Sequence, residues 1–286
     1  MKKGLNMWSI MWPAGEGAPT WDALVRTVKE IGYDGIEFTY DEERVRPQEI
    51  SRSQRKEYLD AARSAGLEIP SVATGVFWQR NLASPDAKER ERGIELGKLG
   101  LELASDLGAT VLLVVPAVNV PELPYQDVLD NSLASVRSLA KHAEEVGVTI
   151  GVENVWNKFL YSPLEFRRFI ESVGSDRVRA YLDVGNTLEL GHPIQWVREL
   201  KGLIACVHVK DFDLSVGGLS GFRHLLRGSM DWQATMKELR STGYDYYLNV
   251  ECFPSFEPSL TSPTFMDALR TSRENSTALD EIISSL

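Results

Sequence analysis

Four residues of types that bind divalent metal ions each close an apolar run in the second half of the chain. They are Glu153 in VTIGVEN, Asp183 in VRAYLDV, His208 in LIACVHVK and Glu251 in YYLNVEC. The runs are rich in β-branched residues, which is typical of buried strands. Three carboxylates and one imidazole form a mostly hard donor set, which suits Mn²⁺ best, with Mg²⁺, Co²⁺ and catalytic Zn²⁺ as alternatives. These residues predict a site for one divalent metal ion.

The four residues are far apart in sequence, so only a fold that gathers strand ends could bring them together. A lone carboxylate at a strand end is more often a helix cap or a loop hydrogen-bond acceptor than a ligand. Three carboxylates gathered without a cation would repel and raise one another's pKa, whereas a divalent ion offsets that cost. The joint occurrence therefore favours a metal site over four unrelated structural roles.

The elements that must position these residues alternate as strand and helix along the whole chain. Eight strands are predicted, at 4–11, 33–39, 68–74, 110–117, 148–154, 178–184, 203–210 and 246–252. Helices are predicted to begin at Thr20, at Ser84 with Pro85, and at Ser162 with Pro163. Glycines that predict left-handed C-caps follow the helices, at Gly32, Gly66, Gly108, Gly147, Gly174 and Gly243.

Eight such units predict an α/β fold of the closed (β/α)₈ TIM-barrel type, with residues 1–286 as one domain. The alternative is a Rossmann-like open sheet, but no G-x-G-x-x-G sequence follows the first strand. In a closed barrel the C-terminal strand ends meet at one face. The fold would then place the four candidate ligands around a common centre.

Composition excludes several classes of partner. The 286 residues carry 31 basic and 41 acidic side chains, a net charge of −10, which disfavours binding to nucleic acid or to an anionic membrane. No apolar run is long enough to span a bilayer, and the first residues do not form a signal peptide, so we expect a cytoplasmic protein. Cys206 and Cys252 are expected to be buried free thiols. Assembly into a homo-oligomer is left open.

The order of the ligand motifs resembles that of a known family. Glu, Asp-x-Gly-Asn, His-Val-Lys-Asp and Glu at successive strand ends are similar to the sugar phosphate isomerase/epimerase family of xylose isomerase-like TIM barrels, above all in ENVWNKFLYSPLE and DVGNTLELGHPIQWV. The resemblance spans nearly the whole chain and is strongest to hexulose-6-phosphate isomerase and ribulose-5-phosphate 3-epimerase types. It implies a small-molecule sugar or sugar phosphate as substrate.

The resemblance also implies roles for the ligands. Glu153, Asp183, His208 and Glu251 would hold the metal, and Glu153 and Glu251 would be the catalytic acid and base. One glutamate would remove the proton next to a ketose carbonyl, giving a metal-bound cis-enediolate, and the other would return a proton. Return to the opposite face of the same carbon epimerises the sugar, whereas return to the neighbouring carbon isomerises it.

Five further residues are predicted to bind substrate. Lys210 shares the inward side of His208, and either contacts a substrate oxygen or pairs with a ligand carboxylate. Glu37 ends the second strand on the same face and resembles a family position that hydrogen-bonds either the substrate or the groups around the metal ligands. Arg223 and Arg227 lie in the loop where barrels often bind phosphate. Asn186 stands where ketose 3-epimerases carry a substrate-contacting histidine, which indicates that the sugar contacts differ here.

Other residues give less specific indications of a role than the candidate ligands and substrate contacts do. Phe159 replaces a second substrate-contacting glutamate of the ketose 3-epimerases. The aromatic side chains after the first and third strands, Trp8, Trp12, Phe77 and Trp78, are candidates for the walls of a sugar cavity or for core packing. Residues 13–20 alternate glycine and proline, which suggests a lid. Asp231 is expected to cap a helix.

Three other functions are conceivable for a barrel with these residues. A multi-metal nuclease of the same fold is disfavoured because the chain is acidic and has only four histidines. A dehydratase acting on inososes would share the metal and the proton abstraction. A non-catalytic sugar-binding barrel is disfavoured because all four ligand types are present.

Overall fold

Eight parallel strands close into a barrel in the computed structural model, which describes residues 1–11 and 19–285. The barrel strands are β1 (Lys2–Asn6), β2 (Gly35–Tyr40), β3 (Ser71–Thr74), β4 (Val111–Val114), β5 (Thr149–Glu153), β6 (Val178–Asp183), β7 (Ile204–Val209) and β10 (Tyr247–Val250). Their order around the barrel is β1-β10-β7-β6-β5-β4-β3-β2. A short antiparallel hairpin of β8 (Asp211–Phe212) and β9 (Phe222–Arg223) follows β7. The predicted (β/α)₈ fold class is confirmed.

Helices surround the barrel and cover its apolar outer surface. They are α1 (Met7–Met11), α2 (Trp21–Ile31), α3 (Arg52–Ser64), α4 (Val76–Gln79), α5 (Ala87–Asp106), α6 (Tyr125–Val146), α7 (Pro163–Val173), α8 (Val184–Leu190), α9 (Pro193–Glu199), α10 (Trp232–Ser241) and α11 (Phe265–Ser284). None of these helices combines the length and the apolarity needed to cross a bilayer. The predicted lid at 13–20 and the predicted wall residue Trp12 lie outside the described residues, except for 19 and 20.

Most of the predicted caps lie at helix boundaries. Thr20 accepts from the Ala23 N–H, and Ser162 accepts from the Glu165 N–H. All the predicted C-cap glycines have positive φ, which an L side chain rarely adopts. The predicted start at Ser84 and Pro85 is wrong, because Asp86 caps α5.

The first strand is shorter than predicted. The apolar run at 4–11 was expected to be strand throughout, but the strand ends at Asn6 and α1 begins at Met7. The side-chain oxygen of Asn6 accepts from the Trp8 N–H at 2.8 Å, which turns the chain out of the sheet. A short apolar run cannot distinguish strand from buried helix by its period alone.

The strand register brings the candidate ligands to one level. Asp183 on β6 pairs with His208 on β7, and His208 pairs with Asn249 on β10. Glu251 lies two residues beyond Asn249 and so has the same side-chain direction. Glu153 on β5 pairs with Tyr181, two residues before Asp183, so all four side chains share the inward face.

Candidate metal centre

The four predicted ligands converge at the C-terminal mouth of the barrel. One donor atom from each of Glu153, Asp183, His208 and Glu251 lies within 4.8 Å of the others, and all four residues are buried. His208 Nδ1 faces the carboxylates, at 3.4 Å from Glu153 Oε1 and 3.7 Å from Glu251 Oε2. This is a donor set of the right types and spacing to enclose one divalent ion.

Glu37 holds the opposite side of the His208 ring. Its Oε2 lies 2.7 Å from His208 Nε2, and its side chain has no exposed surface. A carboxylate in this position fixes the tautomer of a metal-binding histidine, so that Nδ1 is free to act as a ligand. Of its two predicted roles, Glu37 is seen in the second, since its carboxylate contacts the imidazole of a candidate ligand and does not line the cavity.

A layer of buried polar groups supports Glu37 from below. Its carboxylate accepts from Ser71 Oγ at 2.7 Å, from Asn6 Nδ2 at 2.5 Å and from the Tyr181 hydroxyl. The Asn249 amide donates to the Tyr181 hydroxyl at 2.7 Å and to Ser71 Oγ at 2.9 Å. Hydrogen bonds therefore connect each polar side chain of this layer, directly or through one neighbour, to the carboxylate that orients His208.

The D-x-G-N sequence after β6 fixes the Asp183 carboxylate. Asp183 Oδ1 accepts from the Asn186 N–H at 2.9 Å, and the Asn186 amide donates to the Asn154 carbonyl at 2.9 Å. Asn154 in turn exchanges hydrogen bonds with the Asp183 backbone at 2.8 and 2.9 Å. Gly185 is required because a Cβ there would lie 2.4 Å from Lys210 Cγ. Asn186 is buried and braces two ligand strands.

Lys210 lies among the ligand carboxylates. Its Nζ is 2.6 Å from Asp183 Oδ2 and also contacts Glu251 Oε2, and the side chain is only 6% exposed. Of the two predicted roles, the structure places it in the ion pairs, where it neutralises part of the negative charge. Burial would lower the pKa of Lys210, but Asp183 and Glu251 raise it, so the ammonium form is favoured.

The electrostatics of the cluster fit a cation. Burial, together with the charge of Glu251, raises the pKa of Glu153 to about 7. Burial also raises the pKa of Asp183 in spite of the Lys210 charge. Burial alone would lower the pKa of His208, but the charges of Glu37 and Glu251 raise it well above its usual range. Burial and excess negative charge together favour protonated forms in this cluster, and a divalent ion would relieve the charge imbalance.

The cluster opens into a cavity of about 310 Å³. Glu153, Glu251 and Lys210 form its charged part, and the rest of its lining is mainly apolar and aromatic. The predicted wall residues Trp8 and Trp78 line it, whereas Phe77 is fully buried in the core. The aromatic residues that sequence reasoning missed are Trp156, Phe222, Phe253 and Phe256.

The two predicted arginines lie away from this cavity. Arg223 donates to Asp213 Oδ2 at 3.2 Å and to the Ser220 carbonyl at 2.7 Å. Arg227 is exposed, and neither arginine lines the cavity.

Asp231 caps α10 as expected, by accepting from the Ala234 N–H. Cys206 and Cys252 are buried free thiols, also as expected.

Comparison with known proteins agrees with this architecture. A model of the xylose isomerase-like TIM barrel family matches residues 25–270. This chain belongs to that family, as the sequence motifs predicted. L-ribulose-5-phosphate 3-epimerase UlaE of Salmonella heidelberg (strain SL476) is 25% identical over 247 residues, which cover 84% of each chain. The protein of the same name from Shigella flexneri has the same identity and coverage.

Solved structures of sugar epimerases share the fold. An L-ribulose 3-epimerase superposes with a TM-score of 0.79 at 21% identity, covering 99% of this chain and 94% of the other. A D-psicose 3-epimerase crystallised in the presence of D-fructose also gives 0.79, at 18% identity over the full length of both chains. An IolI protein with a bound zinc atom gives 0.78 at 20% identity, covering 99% of this chain and 98% of the other. At these identities the likeness concerns the fold alone.

Proposed function

We propose that this protein is a divalent-metal-dependent enzyme that epimerises or isomerises a ketose by moving a proton next to the carbonyl. One observation carries the proposal: the buried set of four donors opens directly into a cavity, and Glu153 and Glu251 belong to both. The relatives at 25% identity are named as L-ribulose-5-phosphate 3-epimerases, which supports a sugar as the class of substrate.

The metal would be held by Glu153, Asp183, His208 and Glu251. A bound divalent ion would act as a Lewis acid that polarises the carbonyl and acidifies the neighbouring C–H. We propose Mn²⁺ ahead of Mg²⁺, Co²⁺ or Zn²⁺, because three of the four donors are carboxylates. A cytoplasmic location and assembly into oligomers stay predictions.

Glu153 and Glu251 are the proposed catalytic residues. They come from β5 and β10, which are separated by β6 and β7 around the barrel, and both reach the cavity. A sugar seated between them would turn opposite faces toward the two carboxylates. One glutamate would take the proton and the other would return one, so transfer to the opposite face of the same carbon gives the epimer.

Of the five residues predicted to bind substrate, Lys210, Glu37 and Asn186 divide into two groups, whereas Arg223 and Arg227 do not line the cavity. Lys210 lines the cavity, and we retain it as a contact to substrate oxygens. Glu37 and Asn186 are proposed to be positioning residues, because their carboxylate and amide bond to His208 and to Asn154. Their effect on catalysis would pass through the ligands that they orient.

The test is a proton-exchange assay in deuterated water with Mn²⁺ supplied. The unaltered protein should incorporate deuterium at the carbon next to the carbonyl of a ketose and form its epimer or its aldose isomer. Glu153→Gln and Glu251→Gln should each lower the exchange rate by about 10²- to 10⁴-fold, because each removes one group that transfers the proton. Glu189→Gln, which changes an exposed carboxylate on α8, is the matched control and should retain full activity.

Metal content must be measured for every variant, so that loss of the ion is separated from loss of proton transfer. A Glu153→Gln protein that keeps full exchange would refute the assignment of Glu153. An unaltered protein that takes up no divalent ion would refute the metal centre itself. A product that has lost water would show that the same site carries out dehydration.

A further inference from the structure

The cavity above the metal centre has little positive charge to offer an anion. Among the described residues that line it, Lys210 is the one cation, and it is paired with Asp183 and Glu251. Phosphate groups in proteins are usually held by arginine or lysine side chains or by free backbone N–H groups. A phosphate in this cavity would therefore compete with two ligand carboxylates for the Lys210 ammonium.

The loop in which barrels of this type often bind phosphate is filled by a carboxylate of the protein itself. Asp211 Oδ1 accepts from the Phe212 N–H at 2.8 Å and from the Met230 N–H at 3.0 Å, and its Oδ2 accepts from Trp232 Nε1 at 3.0 Å. Gly228 packs so closely on this carboxylate that a Cβ would lie 2.3 Å from Asp211 Oδ1. These three N–H donors already have an anionic acceptor and are not available to a phosphate.

The N-terminus of the following helix is occupied in the same way. The Asp231 side chain accepts from the Ala234 N–H at 2.9 Å, which places a second carboxylate at the start of α10. A helix N-terminus attracts anions through its unpaired N–H groups and its dipole. With Asp231 as the cap, that attraction is directed at a side chain of the protein.

The neighbouring space is acidic. A second cavity of about 640 Å³ shares Trp8 and Phe253 with the first, so both residues form the partition between the two. Its charged lining consists of three carboxylates and one guanidinium, from Asp41, Glu42, Glu43 and Arg44. This lining therefore offers a phosphate one guanidinium against three carboxylates, of which Glu42 is already paired with Arg80 and Arg92.

The walls of the first cavity suit a neutral sugar. Trp78 and Trp156 stack with ring centroids 4.4 Å apart, and Trp156 is 38% exposed. Phe256 stacks on Phe222 and meets Phe253 edge to face, which gives a second aromatic surface. Flat aromatic surfaces with a few convergent polar groups are typical of sites for small neutral ligands.

From these observations we infer that the substrate is an unphosphorylated sugar, bound between the aromatic walls with its carbonyl end toward Glu153 and Glu251. This inference rests on the proposed function and narrows it. It also separates this chain from its 25% identical relatives, which are named for a phosphorylated pentulose.

Matched pairs of substrates test the inference on the Mn²⁺-loaded protein. L-ribulose is compared with L-ribulose 5-phosphate, and D-psicose with its 6-phosphate, by deuterium exchange and by epimer formation. The free ketose should have the higher kcat/KM in at least one pair, by about 10²-fold, because the ester would carry an unpaired charge into the cavity. A phosphate ester that is the better substrate in both pairs would overturn the substrate class and leave the proposed function intact.

Binding measurements test whether the substrate is phosphorylated, independently of turnover. Isothermal titration of the metal-loaded protein should detect a free ketose, and inorganic phosphate should not displace it. Absence of exchange with every compound would count against the proposed function, while the titrations would still report on the substrate class. Tighter binding of the esters, or no binding of either free ketose, would overturn the inference.

A variant of the aromatic wall gives a second readout. Trp156→Ala should raise KM for the free ketose about 3- to 10-fold while metal content stays the same, because it removes one stacking surface. Leu164→Ala, which removes another exposed apolar side chain outside the cavity, should leave KM unchanged. An unchanged KM in Trp156→Ala would contradict the stacking arrangement.

Discussion

The two halves of the barrel contribute different chemistry to the same site. Strands β5, β6, β7 and β10 end in or lead directly into a candidate metal ligand. Strands β1 to β3 instead supply Asn6, Glu37 and Ser71 to the polar layer beneath the site, which Tyr181 and Asn249 complete from β6 and β10. The second half of the chain thus presents donors, and the first half controls how one of those donors is oriented.

The link between the halves is the contact between Glu37 and His208. It joins β2 to β7 across the barrel interior, although the residues are 171 positions apart in sequence. Burial would raise the pKa of Glu37, but the His208 charge and hydrogen bonds from His208, Tyr181 and Ser71 lower it. The carboxylate is therefore held in its ionised form, in which it accepts a hydrogen bond from the imidazole.

The largest effect in the supporting half is expected from Glu37→Gln. The change keeps the size of the side chain but weakens the acceptor that fixes His208, so the affinity for Mn²⁺ should fall by about 10- to 100-fold. Titration of the metal-free protein with Mn²⁺ measures this directly. A neutral amide in a site built around an anionic oxygen could also perturb folding, so the melting temperature is recorded alongside.

Glu68→Gln is the control for this prediction. Glu68 belongs to the same half of the barrel and pairs with Lys2 at the surface, far from the imidazole. It should leave Mn²⁺ affinity unchanged. Equal Mn²⁺ affinities in Glu37→Gln and the unaltered protein would show that the two halves are not coupled through His208.

Two glycines allow a comparison of packing in the two halves. A Cβ at Gly185, after β6, would lie 2.4 Å from Lys210 Cγ and 2.7 Å from its carbonyl oxygen. A Cβ at Gly75, after β3, would meet nothing within 4 Å. Gly185→Ala should therefore destabilise the protein by about 1–3 kcal/mol in urea unfolding, because backbone and side chain must both shift. Gly75→Ala should change stability far less.

A similar stability for the two alanine variants would mean that the turn after β6 can relax without cost. Gly185→Ala should also weaken metal binding, since it displaces Lys210 beside Asp183. If it lost stability but bound Mn²⁺ normally, the D-x-G-N turn would serve folding and not the ligand set.

Much of this architecture was predictable from local sequence. The C-cap glycines, the Thr20 and Ser162 caps and the β-branched runs each reflect interactions within a few residues, and such signals can be read without a fold. The four donors were also predictable, because each stands at the end of such a run. The family motifs then indicated which strand ends carry chemistry.

What could not be predicted depends on contacts between distant strands. The role of Glu37 requires knowledge that β2 lies opposite β7, and the pairing of Arg223 with Asp213 requires the β8–β9 hairpin. The end of β1 at Asn6 depends on a side chain that captures the Trp8 N–H. Trp156 and Phe253 did carry a signal, since they follow Glu153 and Glu251 by three and two residues.

The smallest predicted effect concerns a surface carboxylate of the first half, which contrasts with the buried carboxylates of the metal centre. Glu42 pairs with Arg80 Nε at 2.6 Å and with Arg92 Nη2 at 3.0 Å. Its partial burial would raise its pKa, but the hydrogen bonds and charges of the two guanidinium groups lower it. Glu42→Gln should therefore cost about 0.5–1 kcal/mol of stability at pH 7.

The sign of the pH dependence follows from the lowered pKa. Because the folded state holds the proton less tightly than the unfolded state, this stabilisation is present above the unfolded pKa and is lost as the pH falls through the folded one. The difference between the unaltered protein and Glu42→Gln in urea unfolding should thus shrink as the pH falls below about 4. Glu49→Gln, which breaks a single exposed pair with Arg46, is the control and should show no measurable difference at either pH. A difference for Glu42→Gln that grew on acidification would mean that its pKa is raised, as it is for Glu153, and the contrast between the two halves would not hold.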